Sequence, residues 1–220
     1  IANGENAAEN GKGITKKNFE DLIDAGVNNI TAVEPNADMR TVGRKFLPEN
    51  VKLLAGSAEN TGLQSQSFDL VTMASSFHWT KTSEALKEFD RILSPGGVFS
   101  AIWNPRLTDK SASENEIQEL LTNKYNLTSR MSSGLSGITK NLREILNNCG
   151  FFHSVVYVDA VDVIQRSHEE YIGAWRSVND VQTELGTVKF AEFLDDVAEI
   201  IGRRNSVEVH YLTRAWIAIK

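Results

Sequence analysis

The sequence predicts an α/β fold: a doubly wound, mostly parallel sheet with a C-terminal antiparallel hairpin and a helical lid or insertion. Two observations predict it. Short β-branched or apolar runs alternate with amphipathic helical stretches as far as residue 104, and two long segments rich in Val, Ile, Tyr and Trp follow in the last third of the chain. In such sheets ligands sit at the carboxyl ends of the strands, so the residues that follow each run carry the functional interest.

The elements follow in order. From Lys16 to Ala25, Phe19, Leu22 and Ile23 fall at helical spacing, and Gly26 stands at the C-cap position. Asn29 to Glu34 (NITAVE) reads as a buried parallel strand that Pro35 and Asn36 break. Asp38 to Phe46 is a helix, Val51 to Ala55 (VKLLA) a strand, and Phe68 to Ala74 (FDLVTMA) a further strand leading into a polar loop. Ser83 to Leu93 places Ala85, Leu86, Phe89, Ile92 and Leu93 on one helical stripe, and Ser94-Pro95-Gly96-Gly97 stops that helix before the strand Val98 to Trp103.

Beyond Pro105 a polar, Ser-rich stretch from Thr108 to Thr139 reads as an insertion or lid, with helical signs from Ile117 to Tyr125. Asn141 to Asn148 is a helix, and Ser154 to Gln165 and Ser206 to Lys220 form the hairpin around a helical excursion, Glu169 to Arg203. The 220 residues fit one domain: 1–105 is its cofactor-binding half, and 106–220 supplies substrate-side lid helices and the hairpin.

A net charge of -6 speaks against broad contact with a phosphate backbone, so nucleic acid is not an expected partner and a small molecule is. No secretory leader or transmembrane run is read, and the only cysteine, Cys149, forms no internal disulfide; the expected location is the cytoplasm, away from any membrane. His153 and His168 show no ligand spacing with Cys149 or a carboxylate cluster, so no metal is expected.

Chemistry concentrates at the strand ends. A carboxylate there accepts hydrogen bonds from both hydroxyls of a ribose, and Glu34 holds that place; taken alone it reads equally as a solvated strand-end residue. Gly11 and Gly13, two glycines one residue apart before the first helix, let the backbone approach a ligand or form a surface turn, and Thr15 stands where a third glycine would fall. Ile1 to Glu9 is a poor strand by composition.

The segments Ala32-Val33-Glu34-Pro35-Asn36 with Met39, Gly56-Ser57-Ala58-Glu59, Phe68-Asp69-Leu70-Val71, Ser76-Phe77-His78-Trp79 and Arg91-Ile92-Leu93-Ser94-Pro95-Gly96-Gly97 occur in a telling order and spacing. From about Gly11 to Asn104 the chain resembles the Rossmann-like class I methyltransferases that use S-adenosylmethionine. It looks most like their small-molecule branch, methyltransferase type 11, which includes trans-aconitate methyltransferase-like proteins. The resemblance implies the cofactor S-adenosyl-L-methionine and a small-molecule methyl acceptor, a carboxylic acid among the candidates. It also implies that Glu34 binds the ribose, that Pro35 and Asn36 flank the adenine, and that Ser57 and Ala58 meet its edge and face with Glu59 nearby. Ala74 and Ser75 would lie along the methionine part, and Gly11 and Gly13 would pass under the carboxylate and sugar.

His78 and Trp79 follow the fourth strand of that pattern, so they would face the transferring methyl from the acceptor side. His78 is there either a general base or, with Trp79, a pocket wall. Trp103 and Asn104 are further pocket candidates. Tyr171, Trp175, Arg176, Arg203, Arg204, His210 and Tyr211 form an aromatic and Arg set suited to an anionic acceptor, or else core aromatics and solvated arginines. Two other readings share parts of this pattern: a methyltransferase-like binding protein without catalysis, and a nicotinamide-dependent oxidoreductase.

Overall fold

The computed structural model describes residues 22–127, 134–135 and 137–220. In chain order the elements are β1 (Thr31–Val33), α1 (Ala37–Phe46), β2 (Lys52–Leu54), β3 (Phe68–Ala74), α2 (Thr82–Ile92), β4 (Leu93–Trp103), α3 (Ala112–Asn123), α4 (Leu142–Asn148), β5 (Ser154–Arg166), α5 (His168–Arg176), α6 (Asn179–Gly202) and β6 (Val207–Ile219). Gly11, Gly13 and the start of the helix expected from Lys16 lie outside the described residues; the described end of that helix, 22–24, is helical, and Gly26 turns with φ 87°.

The chain divides into two compact units. The first comprises Ile1–Trp103, Ser133–Asp159 and Arg214–Lys220, and the second Asn104–Ser132 and Ala160–Thr213. The described strands form two sheets. β1 and β2 pair in parallel, Thr31 with Lys52 and Val33 with Leu54. The larger sheet has the order β3-β4-β6-β5. In it β3 runs parallel to β4, with Ala74 opposite Ile102, and β6 runs antiparallel to β4 from Val98–Ile219 to Trp103–Arg214. β5 and β6 are the expected hairpin: the His153 N–H bonds Ile219 O at one end, and the Ser206 hydroxyl bonds the Gln165 amide oxygen at the other.

The core of the first unit grows from the α2 stripe. Ala85, Leu86, Phe89 and Ile92 are buried as their spacing predicts, and Phe89 meets Phe99 of β4 with ring centroids 4.9 Å apart. Phe77 packs on the same ring at 5.2 Å, and Leu142 and Leu146 of α4 join this cluster. The Lys220 ammonium closes the end of α2: it donates to Leu93 O at 3.0 Å and pairs with Asp90 at 3.1 Å.

β5 is the outer strand, and Val156, Val158, Val161 and Val163 are exposed along it around Asp159 and Asp162. The second unit has its own core, in which Ile117 and Leu121 of α3 meet Tyr171 and Trp175 of α5 and Phe193 and Val197 of α6. The long α6 kinks at Gly186, whose φ of 70° interrupts the helical backbone. No helix among the described residues is long and apolar enough to cross a membrane.

Candidate active site

β1 ends at Val33, and Glu34 follows at once, 8% exposed. Its backbone N–H still bonds Leu54 O of β2 at 3.1 Å, and its carboxylate accepts the Asn36 N–H at 2.8 Å. Asn36 caps α1, its side-chain oxygen accepting the N–H groups of Asp38 and Met39 at 2.9 and 3.0 Å. Arg40 reaches back to the carbonyls of Glu34 and Pro35, both at 2.8 Å. The strand-end acid is therefore clamped from both sides.

The parallel register brings the segment after β2 beside it. Gly56 permits this approach: a Cβ there would lie 2.8 Å from Thr61 O and 2.9 Å from the Val33 side chain. Ser57 and Asn60 close the turn with bonds of 3.0 and 3.2 Å between their backbones. Gly56→Ala is expected to lower unfolding stability by about 1–3 kcal/mol, the usual scale of overpacking. Urea denaturation reads this, and an unchanged midpoint would mean the turn can move aside.

Glu59 extends from that turn to the start of α2. Its carboxylate accepts the Lys81 N–H at 2.8 Å, and this bond is the main cause of a proton affinity below the ordinary carboxylate value. A second tie is buried. Glu88 of α2 accepts the Thr61 N–H at 2.8 Å and the Thr61 hydroxyl, and Arg91 grips the same carboxylate at 2.7 and 2.8 Å while bonding Leu63 O and Ser65. The Arg91 pairing, chiefly, holds Glu88 down to about 2. Sequence reasoning missed this network, although Glu88 and Arg91 stand at the i,i+3 spacing that signals a helical ion pair.

β3 delivers the third strand end. Ala74 finishes the strand, and Ser75 turns out of it with φ 48°, its N–H bonded to Ile102 O at 2.7 Å. A non-glycine residue in the left-handed region is held there by its surroundings, and such residues collect at ligand sites. A β-branched side chain suffers most in that conformation. Ser75→Val is thus expected to cost about 1–2 kcal/mol of stability and Ser75→Gly none, read as thermal midpoints; equal midpoints would remove the strain.

Phe77–Trp79 then form a single 3-10 turn. Phe77 is core. The His78 ring lies 4.7 Å from the Trp79 ring and 6.3 Å from that of Trp103. Burial lowers the proton affinity of His78, and its Nδ1 has no partner among the described residues. Trp79 is 82% exposed, so it stands in solvent rather than lining a wall. His78 borders a groove of about 700 Å³ whose other sides include Lys81, Leu86, Ile138, Asn141 and Cys149; Glu34, Ser57, Ala58 and Ser75 do not line it.

The remaining candidates stand elsewhere. Trp103 is buried against Trp216, at 5.6 Å between rings, and Asn104 accepts the Thr213 hydroxyl at 3.1 Å. Tyr171, Trp175 and Tyr211 are buried in the second unit. Arg204 pairs with Glu116 at 2.6 Å, Arg203 with Glu199 at 3.0 Å, and His210 with Glu208 at 2.7 Å. Arg176 is exposed. Among the described residues, no group of three or more His, Cys, Asp or Glu could hold a metal ion.

Parallel strands whose carboxyl ends gather a clamped acid, a tight glycine turn and a strained serine define a Rossmann-like α/β domain built to hold a nucleoside ligand. Residues 9–101 match the methyltransferase domain family. Over 85 residues the chain is 39% identical to an uncharacterized methyltransferase of Mycobacterium tuberculosis and 41% identical to an uncharacterized methyltransferase-like protein of Schizosaccharomyces pombe, covering 39% of this chain in each case. The matched stretch spans only about a third of those relatives, 34% and 33%. The fold is also that of a proposed type II methyltransferase from Anaeromyxobacter dehalogenans, with a TM-score of 0.64, 14% identity, and coverage of 97% of this chain and 94% of that one. The chain thus carries a class I, S-adenosylmethionine-dependent methyltransferase domain.

Proposed function

We propose that the chain moves the methyl group of S-adenosylmethionine to a small-molecule acceptor in the cytoplasm, with small carboxylic acids the first acceptors to test. The carrying observation is the gathering of three strand ends: Glu34 after β1, the Ser57–Asn60 turn after β2, and Ser75 after β3. The residues present fit the cofactor. Glu34 has one carboxylate oxygen engaged by Asn36 and offers acceptor capacity to a ribose diol, beside a turn whose Ser57 and Ala58 suit an adenine. Gly11 and Gly13 are assigned to the cofactor by the resemblance alone.

The cofactor supplies an electrophilic methyl group on a sulfonium. What the protein adds is chiefly orientation and exclusion of water. In this reading Glu34, Pro35, Asn36, Ser57 and Ala58 fix the nucleoside end, Glu59 steadies the turn, Ala74 and Ser75 line the other end, and His78 faces the acceptor. A carboxylate acceptor arrives already anionic, so it needs no base; an imidazole that burial keeps neutral can donate to it and orient it.

His78→Ala is accordingly expected to slow transfer to a carboxylic acid about tenfold at every pH from neutral upward, the loss of one orienting hydrogen bond. A rate loss that shrinks as pH rises would instead make His78 a general base and point to an acceptor that must shed a proton. The direct test of the proposal is isothermal titration with S-adenosylmethionine and S-adenosylhomocysteine, NADH serving as control, followed by an acceptor screen. Binding of the first two without NADH supports it. Binding without turnover on any acceptor would favour a non-catalytic role.

A further inference from the structure

Unit two holds a set of buried polar side chains that the methyl-transfer reading does not use. Backbone pairing sets Arg106 beside Tyr211: the two form an antiparallel bridge, flanked by Leu107 N–H to His210 O at 2.8 Å and Leu212 N–H to Pro105 O at 2.9 Å. The Arg106 guanidinium then lies over two aromatic faces, 5.7 Å from the Tyr171 centroid and 5.9 Å from that of Tyr211. Glu114, in the first turn of α3 and 2% exposed, gives one carboxylate oxygen to Arg106 at 3.4 Å and to the Tyr171 hydroxyl at 3.1 Å. Burial raises its proton affinity, against the pull of Arg106, Tyr171 and His210.

That pairing leaves several groups unanswered. The second Glu114 oxygen, the Tyr211 hydroxyl and the Trp175 indole N–H are all buried without a partner among the described residues, in side chains more than nine-tenths buried. Each such group costs about 1–3 kcal/mol, and three in one contact network ask for an occupant. The Trp175 N–H acts on the Tyr171 phenol, and Tyr171 touches both Glu114 and Arg106, so the orphans belong to one cluster. Their chemistry is specific: a guanidinium with spare N–H groups, two further donors, and one carboxylate oxygen that wants a donor.

We propose that this cluster is a binding site for a small carboxylate that carries a hydrogen-bond donor next to it, a 2-hydroxy or 2-amino acid. The ligand carboxylate answers Arg106, Tyr211 and Trp175, and its hydroxyl or ammonium answers Glu114. A simple carboxylate would leave the Glu114 oxygen unpaired and set two negative charges side by side.

The indole signal of Trp175 in the full-length, 15N-labelled chain, assigned through Trp175→Phe, reports the site. Lactate or alanine is expected to shift it saturably at millimolar concentrations, and propionate, which lacks the donor, to bind at least about tenfold more weakly. Tyr211→Phe removes a hydroxyl that bonds nothing in the folded chain, so it should leave the melting temperature unchanged or raised while weakening lactate or alanine about tenfold. A signal that none of the three compounds moves, equal binding of propionate, or undiminished binding by Tyr211→Phe would each overturn the proposal. A cluster that serves packing alone gives the first and third of these results.

Discussion

Replacing Glu34 by alanine is expected to weaken S-adenosylmethionine binding by about a hundredfold, because two hydrogen bonds from ribose hydroxyls to a carboxylate, each worth about 1.5–3 kcal/mol, are lost together. Glu34→Gln separates charge from shape. An amide oxygen can still accept the Asn36 N–H that fixes the native carboxylate at 2.8 Å, so the entry to α1 should persist. One of the two ribose bonds then fails, and the loss should be about tenfold. Titration calorimetry on the two variants, with circular dichroism to check the fold, gives the answer. If both bind as the unaltered chain does, Glu34 is a structural clamp and the ribose assignment goes.

Acid should attack the opposite end of the same region. Glu88 has a proton affinity of about 2 in the folded chain against an ordinary 4.5, chiefly because of Arg91, with Thr61 adding to it. A depressed carboxyl stabilises the fold above its unfolded value and loses that contribution as pH falls through the folded one, here between about 4.5 and 2. The full shift would amount to about 3 kcal/mol; with Arg91 39% exposed and screened by solvent, about 2 is the expected figure. Glu88→Gln should therefore lower stability in urea by about 2 kcal/mol at pH 7 and by much less at pH 3. An equal deficit at both pH values would mean that the carboxylate charge is irrelevant and only the shape of the side chain counts.

Much of this molecule was legible in its sequence. The α2 stripe buries Ala85, Leu86, Phe89 and Ile92 as their spacing demands, since period alone decides which face of a helix meets a sheet. The closing hairpin was visible for the same reason. Glu34 was legible as a strand-end acid because a β-branched run followed by Pro35 leaves little choice of where the strand stops. What stayed hidden depends on contacts between residues far apart in the chain. Arg106 reads as one cation after a proline; only the pairing with Tyr211 shows that it lies between aromatic rings. Tyr171 and Trp175 could have been lid or core with equal justice, and packing against Phe193 makes them core. Ser75 carries no local mark of its positive φ, which the loop between β3 and α2 imposes on an ordinary residue.

The outer strand β5 has a different bearing, on how crowded the protein can be made. A long strand with an open hydrogen-bonding edge and four exposed valines is a template on which another extended chain could crystallise, and partial unfolding would multiply the opportunities. Asp159 and Asp162 interrupt that run. Each strand laid alongside would bring carboxylates of its own close to them, a repulsion that acid or concentrated salt would silence. Preparations for binding work are therefore best kept near neutral pH and modest ionic strength, where two side chains guard the solubility of the whole.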